Sequence, residues 1–232
     1  NDRLGNSNSR CNVANKKIKM KILNLYACLG GNRYKWNEVK EDIEVTAVEL
    51  DPELARLYQE RFPNDKVVVA DAHQYLLDNF DEFDFVWTSP PCPTHSRLNS
   101  MIIKNTGKVR YPDMKLYEEI IILKKWFRGK FVVENVIPYY EPLIPGTKRD
   151  RHIYWTNFNL PNNLGDRSKK DLTKITCKEL QKFHQIDLSN YNGEQNKLKI
   201  SKNLVDYEAG RTIFETMLGI VRKEDIKQTE LF

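Results

Sequence analysis

At 232 residues, with 40% apolar side chains and eleven tyrosines, ten phenylalanines and four tryptophans, the chain is long enough for one large domain with a real core, alone or with a small appendage. Its 37 lysines and arginines against 32 acids leave a net charge of +5, which favours an anionic partner, nucleic acid first. No run approaches the roughly 20 apolar residues of a membrane span, and no signal peptide is visible. The four cysteines (Cys11, Cys28, Cys92, Cys177) lie far apart, which argues against a disulfide framework and against a metal site. Reduced thiols in a cytoplasmic protein are expected.

Residues 1–19 are polar, rich in Asn, Ser and Lys, and without periodicity. They read as a disordered or added extension, with Met20 as the natural start; a basic arm for phosphate contact is the rival reading. Lys21 to Tyr26 is a short buried strand, ended by Gly30-Gly31 and followed by a helix around Arg33 to Lys40. Ile43 to Glu49 is the second strand. Pro52 to Phe62 is a helix capped by Asp51 with proline in its first turn. Lys66 to Ala70 is the third strand, ending at Asp71, with a helix near His73 to Leu77. Phe83 to Trp87 is the fourth strand, Pro112 to Phe127 a long helix, and Lys130 to Glu134 the fifth strand. Alternation at this interval predicts an α/β fold: a mostly parallel, Rossmann-like sheet with helices on both faces.

The strand ends carry the chemistry. Gly30-Gly31 lets backbone approach a ligand closely, Glu49 can accept both hydroxyls of a ribose, and Asp71 can accept from the exocyclic amine of adenine. Neither GxGxxG nor a Walker loop is present, so a nucleoside cofactor without pyrophosphate, such as S-adenosyl-L-methionine, fits better than NAD. After the fourth strand comes Thr88-Ser89-Pro90-Pro91-Cys92-Pro93. Prolines fix φ and deny the chain a regular helix start, so the Cys92 sulfur sits on a stiff, extended turn at a strand's carboxyl end. On these grounds alone it is either a nucleophile or an inert loop cysteine.

These segments resemble the DNA (cytosine-5)-methyltransferases. Asn24 to Gly31 resembles the family's Asp-x-Phe-x-Gly-x-Gly-Gly motif, Pro91-Cys92 its Pro-Cys motif, and Glu134-Asn135-Val136 is identical to its Glu-Asn-Val. Lys148-Arg149-Asp150-Arg151 is similar to its Gln-x-Arg-x-Arg. Leu172-Thr173 with Glu179 to Phe183 is a loose copy of its ninth motif, and Asn203-Leu204-Val205 stands for its last. The resemblance implies S-adenosylmethionine as cofactor, contacted by Tyr26, Ala27, Cys28, Gly30, Gly31, Glu49, Leu50, Asp71, Ala72 and Pro90. It makes Cys92 the nucleophile at carbon 6 of a flipped cytosine and Glu134 the group facing N3 and N4, with Arg149 and Arg151 near O2. Pro93 to Tyr111, which lacks strong periodicity, becomes a mobile loop closing over base and phosphates, with Ser96, Arg97, Lys104, Lys108 and Arg110 as nucleic-acid contacts.

Departures accompany the matches. Asn24 replaces aspartate, Cys28 the middle glycine, Pro93 the glutamine after the nucleophile, and Thr147 a glutamine. Phe158 and Asp171 are too close to hold a target-recognition domain, so a short or relaxed sequence preference is expected. The chain divides into residues 1–19, a catalytic domain over 20–158, and a small helical C-terminal appendage over 159–232. Leu172 to Phe183 and Tyr207 to Leu218 have helical spacing, and Asn190 to Asn203 reads as a lysine-bearing phosphate loop. Such compact forms resemble those of bacteriophages, where modification shields DNA from host nucleases. The rival functions are methylation of cytosine in transfer RNA, methylation of an exocyclic amine, and a non-catalytic nucleic-acid-binding module.

Overall fold

In the computed structural model, which describes residues 19–108, 110–165 and 175–220, seven strands form one sheet. They are β1 (Met20–Leu25), β2 (Ile43–Glu49), β3 (Lys66–Val69), β4 (Phe85–Thr88), β5 (Lys130–Val136), β6 (Thr147–Arg149) and β7 (His152–Thr156), in the order β3-β2-β1-β4-β5-β7-β6. The first five run parallel, and β7 lies antiparallel between β5 and β6. The strand order reverses at β1, between β2 and β4. A crevice opens there at the carboxyl ends of the strands, the place where open α/β sheets bind ligands.

The helices are α1 (Trp36–Val39), α2 (Pro52–Arg61), α3 (Ala72–Asn79), α4 (Arg97–Thr106), α5 (Lys115–Lys125), α6 (Cys177–His184), α7 (Lys197–Lys202) and α8 (Tyr207–Met217). Two of them start on acids that end strands or follow them. Asp51 accepts from the Glu53 and Leu54 N–H groups to open α2, and Asp71 accepts from Gln74 N–H to open α3. Alternate residues of each strand feed opposite layers. Leu23, Leu25, Val86 and Val133 pack on α3 and α5 through Leu76, Ile120 and Leu123. Ile22, Phe85, Trp87 and Val132 pack on α1 and α8 through Trp36, Ile213 and Phe214.

The C-terminal segment is therefore part of the second layer covering the sheet. Trp36 stacks on Phe214 at 5.1 Å, and Gly210 is required for this approach, because a Cβ there would stand 2.3 Å from the Asn32 carbonyl oxygen. A further apolar cluster joins α2 to the chain around α7: Leu54 and Leu57 meet Leu188, Tyr191, Ile200 and Leu204. This contact brings the lysine-bearing segment to the crevice.

Three expectations change. The segment Pro93 to Tyr111 is not irregular: α4 occupies its middle, capped by Ser96 and ended by Gly107 in the left-handed region at φ 67°. Its apolar residues Leu98 and Met101 are 62% and 59% exposed, turned to solvent rather than to the core. The expected helices over 33–40 and 112–127 shorten to α1 and α5. The expected loop over Asn190 to Asn203 holds helix α7, and residues 147–156 form an antiparallel hairpin, with Asp150 at φ 47° in its turn. Residues 1–18 and Leu172-Thr173 lie outside the described residues; α6 opens after them on a Thr176–Glu179 capping box. Among the described residues no helix is long and apolar enough to cross a membrane, and no His/Cys/Asp/Glu group could hold a metal ion.

Candidate active site

A cavity of about 680 Å³ opens along the carboxyl ends of β1, β2, β4 and β5, of a size suited to a nucleoside-sized ligand. Its β1–β2 side is built from a tight loop. Tyr26, Cys28 and Gly30 take φ values of 55°, 45° and 65°, and this succession of left-handed residues turns the chain back over Glu49. The Glu49 carboxylate accepts from Cys28 N–H at 2.8 Å and from Asp51 N–H at 3.0 Å. Burial pushes its pKa up, against the pull of those N–H groups. Burial and the Glu49 charge push the Cys28 thiol up to about 12, which leaves that sulfur an inert protonated wall. Gly31 lies against the opposite wall, where an added Cβ would meet Val205 O at 2.4 Å.

Beneath this loop sits a buried polar knot. Glu119, fully enclosed, accepts from Tyr26 Oη at 2.6 Å and Thr88 Oγ1 at 2.7 Å, and meets His73 Nδ1 at 3.0 Å. The Tyr26 ring lines the cavity while its hydroxyl is anchored below. The hydrogen bond to Glu119 raises the His73 pKa. Asp71 is the exposed acid of this side. The Gln74 N–H it accepts from holds its carboxyl below the usual range, and Lys115 Nζ stands 3.9 Å away.

The β4–β5 side is built from the proline turn. Asn135 Nδ2 donates to Pro90 O at 3.0 Å, and the Cys92 carbonyl accepts from the N–H groups of His95 and Ser96. His95 is buried, with Nδ1 2.6 Å from Tyr140 Oη, so it braces the turn from within. Cys92 is half-buried. Burial first, then the Glu134 charge, push its thiol up, and the Lys199 ammonium pulls the other way. Glu134 is buried at the end of β5, with His152 Nε2 3.5 Å from its Oε1. Cys92 and Glu134 are brought together because β4 and β5 are parallel neighbours, Thr88 pairing with Val133.

Tyr26, Ala27, Cys28, Gly31, Glu49, Leu50, Asp71, Ala72, Pro90, Cys92 and Glu134 thus all line one cavity. Gly30 shapes the loop but faces Phe62 and Tyr58. The arginines expected near O2 are not brought to the wall. Arg149 sits on edge strand β6 and spends its guanidinium on Pro161 O at 2.7 Å and Leu160 O at 3.0 Å. Arg151 is exposed in the turn before β7. Ser96 caps α4, and Arg97, Lys104, Lys108 and Arg110 are exposed along that helix and its exit, outside the cavity lining.

Sequence reasoning missed part of the wall. Gln195, Lys199, Lys202 and the Asn203–Val205 stretch close the cavity from the C-terminal side. They are held there by Gln195 Nε2 and Tyr191 Oη, which both donate to Asp51 Oδ2, at 2.8 and 3.2 Å. The lysines were legible as a charged loop, but the tie to Asp51 was not. His152, which no motif singles out, also lines the cavity beside Glu134.

The donor set decides what this cavity can hold. Glu49, Asp51, Asp71, Asp113 and Glu134 line it together with Lys115, Lys199 and Lys202, so acids outnumber lysines and a cationic sulfonium is suited to the wall. Glu49 offers further lone pairs to ribose hydroxyls, Asp71 an acceptor for an amine, and exposed Leu50 an apolar face for a purine ring. S-adenosyl-L-methionine fits these residues.

Comparison with solved structures finds DNMT2 of Spodoptera frugiperda (a triple mutant), 25% identical over 51% of this chain and 36% of that one, TM-score 0.38. It also finds Dnmt2 methyltransferase of S. pombe, 19% identical over 54% and 38%, TM-score 0.40. A TehB-like SAM-dependent methyltransferase of Corynebacterium glutamicum is 20% identical over 50% and 55%, TM-score 0.33. The chain therefore spans well under half of either DNMT2 chain. No curated protein matches it. The family model described as C-5 cytosine-specific DNA methylase matches residues 20–138, from the start of β1 past Glu134, so the chain belongs to that family, with a Rossmann-like methyltransferase fold and S-adenosylmethionine as cofactor.

Proposed function

We propose that the protein methylates carbon 5 of cytosine in DNA through a covalent adduct between Cys92 and carbon 6 of a flipped base. One observation carries this reading: a half-buried thiol and a buried carboxylate, Cys92 and Glu134, face one cavity from adjacent strand ends, close enough for the carboxylate to hold back the thiol's ionisation.

The cofactor supplies an electrophilic methyl group on a sulfonium. Cytosine's carbon 5 is a poor nucleophile by itself. Addition of the Cys92 thiolate to carbon 6 forms an S–C6 bond and leaves an enamine. Its C5 would form a bond to the methyl carbon as the methyl–sulfur bond breaks and its electron pair stays on sulfur as a neutral thioether. Negative charge entering the ring is met by a proton shared between N3 and Glu134, which also accepts from the N4 amine. A base, with water the simplest, then takes the C5 proton. The returning electron pair expels Cys92 and restores the double bond. Glu49 and Asp71 orient the cofactor by its hydroxyls and amine. The cations of α4 and its exit, Arg97, Lys104, Lys108 and Arg110, meet the phosphates flanking the extruded base.

The test is covalent trapping. Duplex DNA carrying 5-fluorocytosine, incubated with the protein and S-adenosylmethionine, is expected to give a denaturation-resistant adduct that Cys92→Ala does not form. Methyl incorporation into unmodified duplex and into transfer RNA is measured in parallel. Incorporation into transfer RNA alone would move the substrate to RNA, and methylation surviving Cys92→Ser would replace the covalent route with transfer to an exocyclic amine.

A further inference from the structure

Charge from the attacking thiolate does not stop at N3. In the adduct it is shared with O2, so a pocket that stabilises the ring needs a donor on each side of that edge. Glu134 accounts for N3 and N4. Neither arginine of the β6–β7 hairpin lines the cavity: Arg149 is committed to the Pro161 and Leu160 carbonyls, and Arg151 is exposed in the turn. The hairpin delivers a different side chain.

In the antiparallel pairing of β5 with β7, Glu134 stands opposite Tyr154 and Val136 opposite His152. Glu134 and His152 are therefore diagonal neighbours on one face of the sheet, a spacing at which long side chains meet. The Nε2–Oε1 separation of 3.5 Å is too long for a strong hydrogen bond, so the imidazole is placed beside Glu134 without being consumed by it. The buried Tyr154 ring supports it edge to face at 6.2 Å. Both Glu134 and His152 line the cavity that holds Cys92.

We propose that His152 is the second base-contacting residue of the pocket: its imidazole N–H donates to O2 of the cytosine whose N3–N4 edge faces Glu134. The assignment rests on the cytosine reading above. It gives this chain an imidazole for a task that the sequence motif would have given to a guanidinium, and it explains why Arg149 is free to anchor the chain after β7.

The experiment replaces O2 with sulfur, a weak acceptor. Methylation of duplexes carrying cytosine or 2-thiocytosine at the target is measured for the wild type, His152→Phe, which keeps a ring against Tyr154 without an N–H, and His152→Gln, which keeps a donor. His152→Ala is the second variant should the Phe ring fail to fit. With cytosine, His152→Phe is expected to lose about 100-fold in kcat, with S-adenosylmethionine affinity unchanged and much of the loss recovered in His152→Gln. Sulfur is expected to slow the wild type strongly and to slow His152→Phe no further, the two losses being one interaction. A sulfur penalty that persists in full in His152→Phe, or that disappears in Arg151→Ala instead, overturns the assignment while leaving cytosine methylation intact. A wild type that methylates neither duplex overturns the cytosine reading itself, and this inference with it.

Discussion

On the cofactor side of the cavity the acids are committed before any ligand arrives. Glu49 holds two backbone N–H groups, Asp51 caps α2 and ties down Gln195 and Tyr191, Asp71 caps α3, and Glu119 gathers Tyr26, Thr88 and His73 below them. On the base side the same kind of group is left under-bonded. Glu134 has His152 at 3.5 Å, and Cys92 stands half-buried beneath it with its thiol held back from ionising. The first side is fixed geometry for a ligand that returns each turnover. On the proposed function, the second is a set of groups whose partners come from an extruded base, so its polar atoms are satisfied by binding rather than by folding.

Damage to the committed side should show as lost stability first. Glu119→Ala leaves Tyr26, Thr88 and His73 facing a buried void, and should cost about 3–5 kcal/mol, lowering the melting temperature by about 10 °C. The pH dependence has a definite sign. The His73 pKa is raised above its ordinary 6.5 by Glu119, so its stabilisation is complete below that pH and is lost as pH climbs through the raised value. Melting curves from pH 6 upward should fall more steeply for the wild type than for Glu119→Ala; parallel curves would remove the pair from the account.

Glu49→Ala is expected to be the next largest change, and on binding. It strips the acceptor from Cys28 N–H and Asp51 N–H and from the cofactor hydroxyls at once. Charged hydrogen bonds are each worth about 1.5–3 kcal/mol, so titration calorimetry with S-adenosylmethionine should show affinity weaker by about 100-fold. Unchanged affinity would mean that the cofactor does not lie over β2.

The caps and strand ends of the committed side were legible in the sequence, as were Cys92 and Glu134 through their motifs, because each is read locally. Caps and strand ends leave local signatures: Asp51 before Pro52, Asp71 after the β3 valines, Gly30-Gly31 after β1, each read within a few residues of where it acts. The rest of the base side depends on long-range placement. His152 meets Glu134 because of an antiparallel register that no local pattern announces, and Lys199 reaches the cavity because Tyr191 and Gln195 bond to Asp51, far away in the chain. Helix α4 carries Leu98, Met101 and Ile102 at helical spacing, but the flanking prolines, glycine and charged residues of the segment also fit a loop. Arg149 followed its motif in sequence but not in space, since an edge strand points it at the Pro161 turn.

The smallest expected change bears most directly on the under-bonded side. Glu134 raises the Cys92 thiol by charge repulsion, on top of burial, while Lys199 pulls it down. Glu134→Gln removes the repulsion and keeps the burial, so the thiol should ionise more readily yet stay above an ordinary cysteine. At fixed neutral pH, iodoacetamide should alkylate Cys92 several-fold faster in Glu134→Gln than in the wild type, whereas methyl transfer should fall because the acid facing N3 is gone. The two readouts must move in opposite directions. A Cys92 whose alkylation rate is indifferent to Glu134 would show that thiol and carboxylate do not share the pocket in solution, and the base side would then need a closing movement to bring them together.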